Sequence, residues 1–368
     1  MAGGWTHTAL AQQLVFGPGA VRRLPDLVKL LSARKALLVT TEGRLRSSDG
    51  EHVVTLLGRA LASTFAEVQS HVPVPLVHQA VLQARRDGID LVVSFGGGSC
   101  SDLGKAVCYF LEQEAGMPGA SHVDRPVVPH ISIPTTYSGA ELTPFFGMTD
   151  PATKQKQGAG GPTSAPIVAV YDPDLTASTP PRVRAETGMN ALAHCVEAAY
   201  SPLRTPEAEA IALAGARAIG AALPLAVAER DDAGAQAAML EGAALAGRCL
   251  LNAGMGVHHG LAQLVGGRTG IPHGLANAVL LTHAVAFNAG AVPDAVGRIA
   301  DALGGTDAAA TIDGLRDEIG LPGRLSEAGV GEADLEAVAR LSQANPNVAR
   351  NPRLVSEDDA LSILRAAW

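Results

Sequence analysis

The sequence predicts an α/β domain built on a parallel, doubly wound sheet, followed by an all-helical domain. Three observations predict it. Up to about residue 175, short β-rich runs alternate with stretches of helical periodicity, and alternating β and α units build parallel sheets. Beyond "YDPDLTASTPP" no strand pattern recurs, and the chain becomes rich in Ala and Leu with Gly and Pro as punctuation. At 368 residues the chain can bury two cores of this size. The expected division is 1–175 for the α/β domain and 176–368 for the helical one, with the hinge near 174–181.

The strands are expected at "KALLVTT" (35–41), "FAEVQSHV" (65–72), "IDLVVSFGGG" (89–98), "VVPHISIPTT" (127–136) and "PIVAVYDP" (166–173). Between them lie helical patterns such as "SDLGKAVCYFL", where Leu103, Ala106, Val107, Phe110 and Leu111 share a face. The net charge of −8 and the absence of a Lys/Arg-rich run argue against nucleic acid or an anionic membrane as partner. Every long apolar run is broken by a charge, Gly or Pro, so no transmembrane helix is expected. "MAGGWTHTAL" has neither the basic nor the apolar part of a secretory signal. The 4 cysteines form no closely spaced framework, as expected of reduced thiols in a cytoplasmic protein.

Three polar clusters interrupt this pattern. "LVVSFGGGSCSDLGKAV" reads strand, glycine turn, helix, an arrangement that lets a phosphate approach the backbone and the free N–H groups of a helix start. Gly97, Gly98 and Ser99 are the expected contacts, and Asp102 is expected in the helix's first turn, as a cap or a further contact. Thr135 and Thr136, in "PTTYSGAELTP", follow the next strand and so reach the same sheet edge. In the helical half, "GMNALAHCVEAAY" sets Asn190 and His194 at i and i+4, on one helix face. "GVHHGLAQLVGGRTGIPHGLANAVLLTHAVAFN" adds His258, His259, His273 and His283, with Gln263 four residues after His259. His194, His259 and His273 could give three imidazoles to one divalent metal, with Asn190 as a weak fourth ligand.

The order of these motifs resembles the iron-containing (group III) alcohol dehydrogenases over nearly the whole chain. "LVFGPGAVRRLPDLV" is similar to the family's opening, "GGGSCSDLGKA" to its pyrophosphate loop and "PTTYSGAELTP" to its nicotinamide-side loop. "GMNALAHCVEAAY", "HHGLAQLVGG" and "IPHGLANAVLLTHAVAFN" resemble its metal-binding helices, and "NPRLVSEDDALSILRAAW" its close. The resemblance implies a dehydroquinate synthase-like plan: a Rossmann-like dinucleotide domain, a helical domain, and hydride transfer in the cleft between them. It implies metal-ligand positions at Asn190, His194, His259 and His273. Thr41, at a strand end where NAD-specific members carry Asp, and Lys154 join the expected cofactor contacts.

Metal-binding members carry Asp where this chain has Asn190, and many carry a further His where it has Gln263. The short threonine loop, Asn190 and the doubled His258–His259 resemble the maleylacetate reductase branch; Gln263 does not. The branch implies NADH- or NADPH-dependent reduction of maleylacetate, or a close unsaturated keto dicarboxylate, in aromatic catabolism by a cytoplasmic homodimer. Losing the carboxylate leaves neutral ligands only, so metal is expected to be absent or weak, with His194, His258, His259, His273 and Asn190 acting as a polar substrate wall. Lys154, Lys156, Arg248, Arg268 and Arg353 are the cations considered for the substrate's carboxylates. The alternatives are a metal-dependent (Fe/Zn) alcohol dehydrogenase, a specialised biosynthetic family member, and a lyase-type enzyme on the dehydroquinate synthase plan. The last requires a firm metal site and a basic phosphate cluster, and the sequence has neither motif.

Overall fold

The structure, a computed structural model, describes residues 5–116, 126–152 and 156–368. It forms two compact units: Ala9–Ser178, and Thr179–Trp368 together with residues 5–8. Residues 5–8 therefore group with the helical unit and not, as expected, with the α/β half. Thr8 N–H donates to Asn252 Oδ1 at 2.7 Å, and His7 Nδ1 lies 3.0 Å from Thr205 Oγ1.

The first unit holds strands β1 (Gln13–Phe16), β2 (Ala36–Val39), β3 (Leu61–Phe65), β4 (Leu91–Gly96), β5 (His130–Pro134), β6 (Phe145–Thr149), β7 (Lys156–Gly160) and β8 (Val168–Tyr171). Its helices are α1 (Leu24–Leu30), α2 (Glu42–Leu45), α3 (Ser48–Leu57), α4 (Val74–Asp87), α5 (Gly98–Glu114) and α6 (Pro173–Ala177). Six strands form one parallel sheet in the order β1-β8-β5-β4-β2-β3, while β6 and β7 pair as an antiparallel hairpin.

Both faces of the sheet are covered, which is why its central strands read as unbroken apolar runs. Leu37, Val39 and Val92 pack with Val77, Ala80, Leu103 and Ala106 of α4 and α5. Leu38, Leu91 and Val93 pack on the other face with Leu24, Leu27, Val53 and Leu57 of α1 and α3. The two-residue period of a strand sorts neighbours to opposite faces.

Four expected strands stand where the sequence places them. The run 65–72 does not; the strand ends at Phe65, where that run begins. From β2 the chain moves outward to β3, then returns to pair β4 on the other side of β2. The order thus reverses between β2 and β4, the kind of point at which α/β sheets open a ligand crevice beyond their strand ends.

The second unit contains α7 (Pro181–Tyr200), α8 (Pro206–Ala228), α9 (Ala233–Leu250), α10 (Val257–Thr269), α11 (His273–Ala289), α12 (Pro293–Ala302), α13 (Ala308–Glu318), α14 (Glu332–Ser342) and α15 (Glu357–Ala367). Packed by α8, α9 and α11, α7 is buried almost all round from Arg184 to Tyr200. Polar residues on it therefore face the protein interior. Pro181 and Pro206 start their helices at N1, where the missing N–H costs nothing. By length and composition alone α8 is apolar enough to cross a membrane, although Gly215, Arg217 and Pro224 interrupt it. In the fold it packs against α7 and α9, burying Ala212, Ala216, Ile219 and Leu223.

Candidate active site

In the α/β unit the ends of β2, β4 and β5 come together. Gly97 alone separates β4 from α5. Gly96 has φ 145°, and a Cβ there would stand 2.6 Å from Cys100 Sγ, so only glycine fits. A Cβ on Gly97 would lie 3.2 Å from Thr136 Cγ2, and one on Gly98 2.9 Å from Ser138 Oγ. Thr135 N–H donates to Gly96 O at 2.9 Å. The glycine turn and the threonine loop are thus packed against each other.

Thr136 Oγ1 is buried without a hydrogen-bond partner among the described residues, and no side chain caps the start of α5, where Ser99 sits half-buried. Uncapped helical N–H groups, an unpartnered hydroxyl and a backbone stripped of Cβ atoms fit a dinucleotide's pyrophosphate.

Asp102 departs from the expectation. The helix begins at Gly98, so Asp102 lies beyond its first turn and caps nothing. Its Oδ1 instead takes Lys105 Nζ at 2.8 Å. Lys105 is fully buried and also donates to Ala140 O at 2.7 Å and Phe145 O at 2.6 Å. It fastens the loop after the threonines to α5. Thr41 caps α2, its Oγ1 accepting from Arg44 N–H at 3.3 Å. Lys154 lies outside the described residues.

In the helical unit the expected residues do converge. His194 and His259 stack with ring centroids 4.7 Å apart and planes 20° from parallel. His273 is 6.2 Å from His259, and His258 4.9 Å. Asn190 Oδ1 accepts from Asn277 Nδ2 at 3.0 Å. Gly274 permits this closeness, since a Cβ there would stand 2.6 Å from Glu186 O of α7. His283 is not part of the cluster; it lies among the charges of Asp313 and Arg316. Gln263 Oε1 accepts from Asn347 Nδ2 at 3.3 Å. Burial, and behind it the charges that His259, His273 and His258 would carry, hold His194 well below the ordinary histidine range, so it is neutral. Its Nδ1 is buried without a hydrogen bond among the described residues.

Two residues here escaped the sequence reading. Glu197 is fully buried, and its carboxylate accepts N–H bonds from Gly256 at 3.1 Å, His258 at 3.0 Å and His259 at 3.2 Å. It is the anion at the start of α10. It also takes His259 Nδ1 at 2.6 Å. Burial pushes its carboxyl up, but the bonds from His258 and His259 outweigh this and hold it well below the usual range. Gly256 is glycine because a Cβ would come within 2.9 Å of Glu197 Oε1. Asn277 is the other, bonded to Asn190, to His273 O at 2.8 Å, and through its own carbonyl to His258 Nε2 at 2.9 Å. Helical spacing could have found both. Glu197 shares a face with Asn190 and His194, and Asn277 follows His273 by one turn.

A family model for iron-containing alcohol dehydrogenases matches residues 11–173, and the model for the family's C-terminal part matches 184–368. The maleylacetate reductase of Burkholderia cepacia is 36% identical over 97% of this chain and 95% of its own length. The chain belongs to the iron-containing alcohol dehydrogenase family. Among solved structures, the maleylacetate reductase of Rhizobium sp. strain MTP-10005 matches with a TM-score of 0.88 at 35% identity, covering 99% of this chain and 98% of that one. The maleylacetate reductase of Agrobacterium tumefaciens has a TM-score of 0.88 at 34% identity, covering 100% and 98%. The resemblance to the reductase branch and the dehydroquinate synthase-like plan are borne out.

The family's name implies a metal, and the donor set here does not fit a firmly held dication. The amide of Asn190 stands at the position expected to carry the charge, with its oxygen engaged by Asn277. The in-plane lone pairs of the nearly parallel His194 and His259 rings do not converge steeply on one point. Glu197, His258 and His259 do place ligand atoms within 4.8 Å of one another. That carboxylate is already saturated by three backbone N–H groups and the His259 ring. Arg248, Arg268 and Arg353 face Glu207, Asp334 and Asp359, so none stands out as a carboxylate anchor. All four cysteines are buried free thiols, and burial pushes Cys100 up to about 12, which leaves it unreactive.

Proposed function

We propose that the protein reduces maleylacetate, or a close unsaturated keto dicarboxylate, to 3-oxoadipate or its analogue, with NADH or NADPH and without a metal. The observation that carries this reading is the amide of Asn190 set among three imidazoles, in a chain whose curated relatives are maleylacetate reductases. An alcohol dehydrogenase needs a Lewis acid to polarise a C–O bond. An alkene conjugated with a ketone does not, because the ketone accepts the charge.

The nicotinamide cofactor supplies the hydride, and Gly97, Gly98, Ser99, Thr135 and Thr136 are the residues that would hold its phosphates, with Asp102, Thr41 and Lys154 as further contacts. As hydride arrives at the alkene carbon remote from the ketone, the π electrons move onto the ketone oxygen as an enolate. Asn190 and the N–H groups of His194 and His273 hydrogen-bond that oxygen. A histidine of the cluster gives its proton to the carbon beside the ketone, which restores the C=O and completes the reduction of the double bond. The enzyme is read as a cytoplasmic homodimer acting on a small molecule.

The test is NADH oxidation by purified protein with maleylacetate and with a panel of aldehydes and simple alcohols, before and after EDTA. Maleylacetate should be the substrate, most activity should survive the chelator, and iron and zinc should stand well below one per chain. Stoichiometric metal, with alcohol oxidation lost to EDTA and restored by metal, would select the metal-dependent alcohol dehydrogenase instead.

A further inference from the structure

We infer that Asn277 sets the hydrogen-bond polarity of the histidine site. It fixes the Asn190 amide so that Asn190 offers N–H groups to an oxyanion and not a lone pair to a cation. This rests on the proposed reduction only for the identity of that oxyanion.

The assignment follows from groups that can act in one way only. The side-chain atom of Asn277 that lies 2.8 Å from His273 O faces a carbonyl, which only accepts, so that atom is the nitrogen. The same nitrogen lies 3.0 Å from the Asn190 amide, so the Asn190 atom it meets is the oxygen. Asn190 Nδ2 is thereby turned away from Asn277, and among the described residues the Asn190 side chain hydrogen-bonds only through its oxygen. Asn190 is 6% exposed. Its two N–H groups are the end left for a ligand. A dication approaching them meets positive hydrogens, and an enolate oxygen meets donors.

The main chain of Asn277 extends the pattern to the rings. Its carbonyl lies 2.9 Å from His258 Nε2, so that nitrogen carries the proton. His258 Nδ1 is then a lone pair, 3.2 Å from His259 Nδ1. His259 Nδ1 must be the N–H, shared between that lone pair and Glu197 Oε2 at 2.6 Å. One residue of α11 thus orients an amide on α7 and a ring on α10, and Glu197 completes the set. Asn277 is a positioning residue: it acts through Asn190 and need not touch the substrate.

The experiment compares Asn277→Asp in the wild-type background and in Asn190→Leu, reading kcat and KM for maleylacetate, NADH affinity by fluorescence titration, and Zn²⁺ affinity by calorimetry. An aspartate only accepts, so it should turn the Asn190 amide over and present Oδ1 to the site. We expect kcat to fall about 100-fold, the usual effect of losing one donor to a developing oxyanion. NADH affinity should change less than about 3-fold, and Zn²⁺ should bind more than about 10-fold tighter. With Asn190→Leu in place, adding Asn277→Asp should change kcat and Zn²⁺ affinity by less than about 3-fold, because the charge alone does not act. Equal effects in both backgrounds, or no effect in the first, overturn the inference.

Asn277→Ala gives a second reading if the aspartate variant does not fold. Releasing the amide should lower kcat by about 10-fold and tighten Zn²⁺, and an unchanged kcat overturns the inference equally. The Zn²⁺ arm needs no substrate. A wild-type enzyme that ignores maleylacetate while the zinc cycle behaves as stated would sink the proposed reaction and leave the role of Asn277 standing.

Discussion

Glu197 governs which nitrogen of His259 is available. With Nδ1–H committed to the carboxylate, Nε2 is the ring's working atom. Glu197→Gln keeps the shape but turns an NH2 group towards backbone N–H donors at the start of α10. An unsatisfied buried donor costs roughly 1–3 kcal/mol, so urea unfolding should show a loss of that size together with a fall in kcat. His194→Ala and His259→Ala test the cluster directly. Each should lower kcat by about 10²–10³ while NADH still binds, and near wild-type turnover in both would make the cluster structural. The histidines were legible in the sequence because imidazoles at helical spacing are rare enough to notice. Glu197 was not, since an acid among alanines reads as a solvent-facing residue. Its helical spacing from Asn190 and His194 puts it on their face, and the burial of α7 and the approach of α10 turn that face inward. Asn277 hides in "HGLANAV" for the same reason.

At the level of elements, the end of β2 bears on cofactor choice. Thr41 brings no charge that would repel a 2′-phosphate, and its hydroxyl caps α2. Arg44, whose NH1 donates to Ser178 Oγ at 2.7 Å, adds a cation to the same short helix. NADH should serve, and NADPH should be tolerated. The expectation fails if kcat/KM for the two differ by more than about 100-fold, or about 2.7 kcal/mol. Strands buried on both faces, β2, β4, β5 and β8, were readable because parallel strands between helix layers are continuous apolar runs. β1 was not, being a four-residue strand with exposed ends, QLVF. β3 was placed too late because its LASTF pattern is half-exposed and weak, whereas Val68 and Val72 in the run that follows are buried β-branched residues. The β6–β7 hairpin has Gly147, Gly158 and Gly160 in its strands, and glycine masks a strand pattern.

For the molecule as a whole, stability against acid depends on what it buries uncharged. His130 on β5 is buried, with Nε2 2.8 Å from Ser94 Oγ. Burial, with Lys105 adding to it, lowers its pKa to about 3. The unfolded chain takes up that proton near pH 6.5 and the folded one does not. This contribution is therefore complete above about pH 6.5 and is lost progressively as pH falls towards 3, about 2 kcal/mol of it by pH 5. Denaturant unfolding at pH 7.5 and pH 5.0 should show wild type losing about 2 kcal/mol more than His130→Asn; equal losses would remove His130 from the account. The pairing of Thr8 with Asn252, 244 residues away in the chain, bears on how the protein is made. Ala9–Ser178 is one uninterrupted stretch, so a ribosome delivers the α/β unit whole while the helical unit is still unwritten. The stretch around Thr8 must then wait for its partner. At about 5–20 residues per second that wait lasts on the order of 10–50 s, so this stretch docks late, and a nascent chain stalled before Asn252 should leave it open to a protease that the finished protein resists.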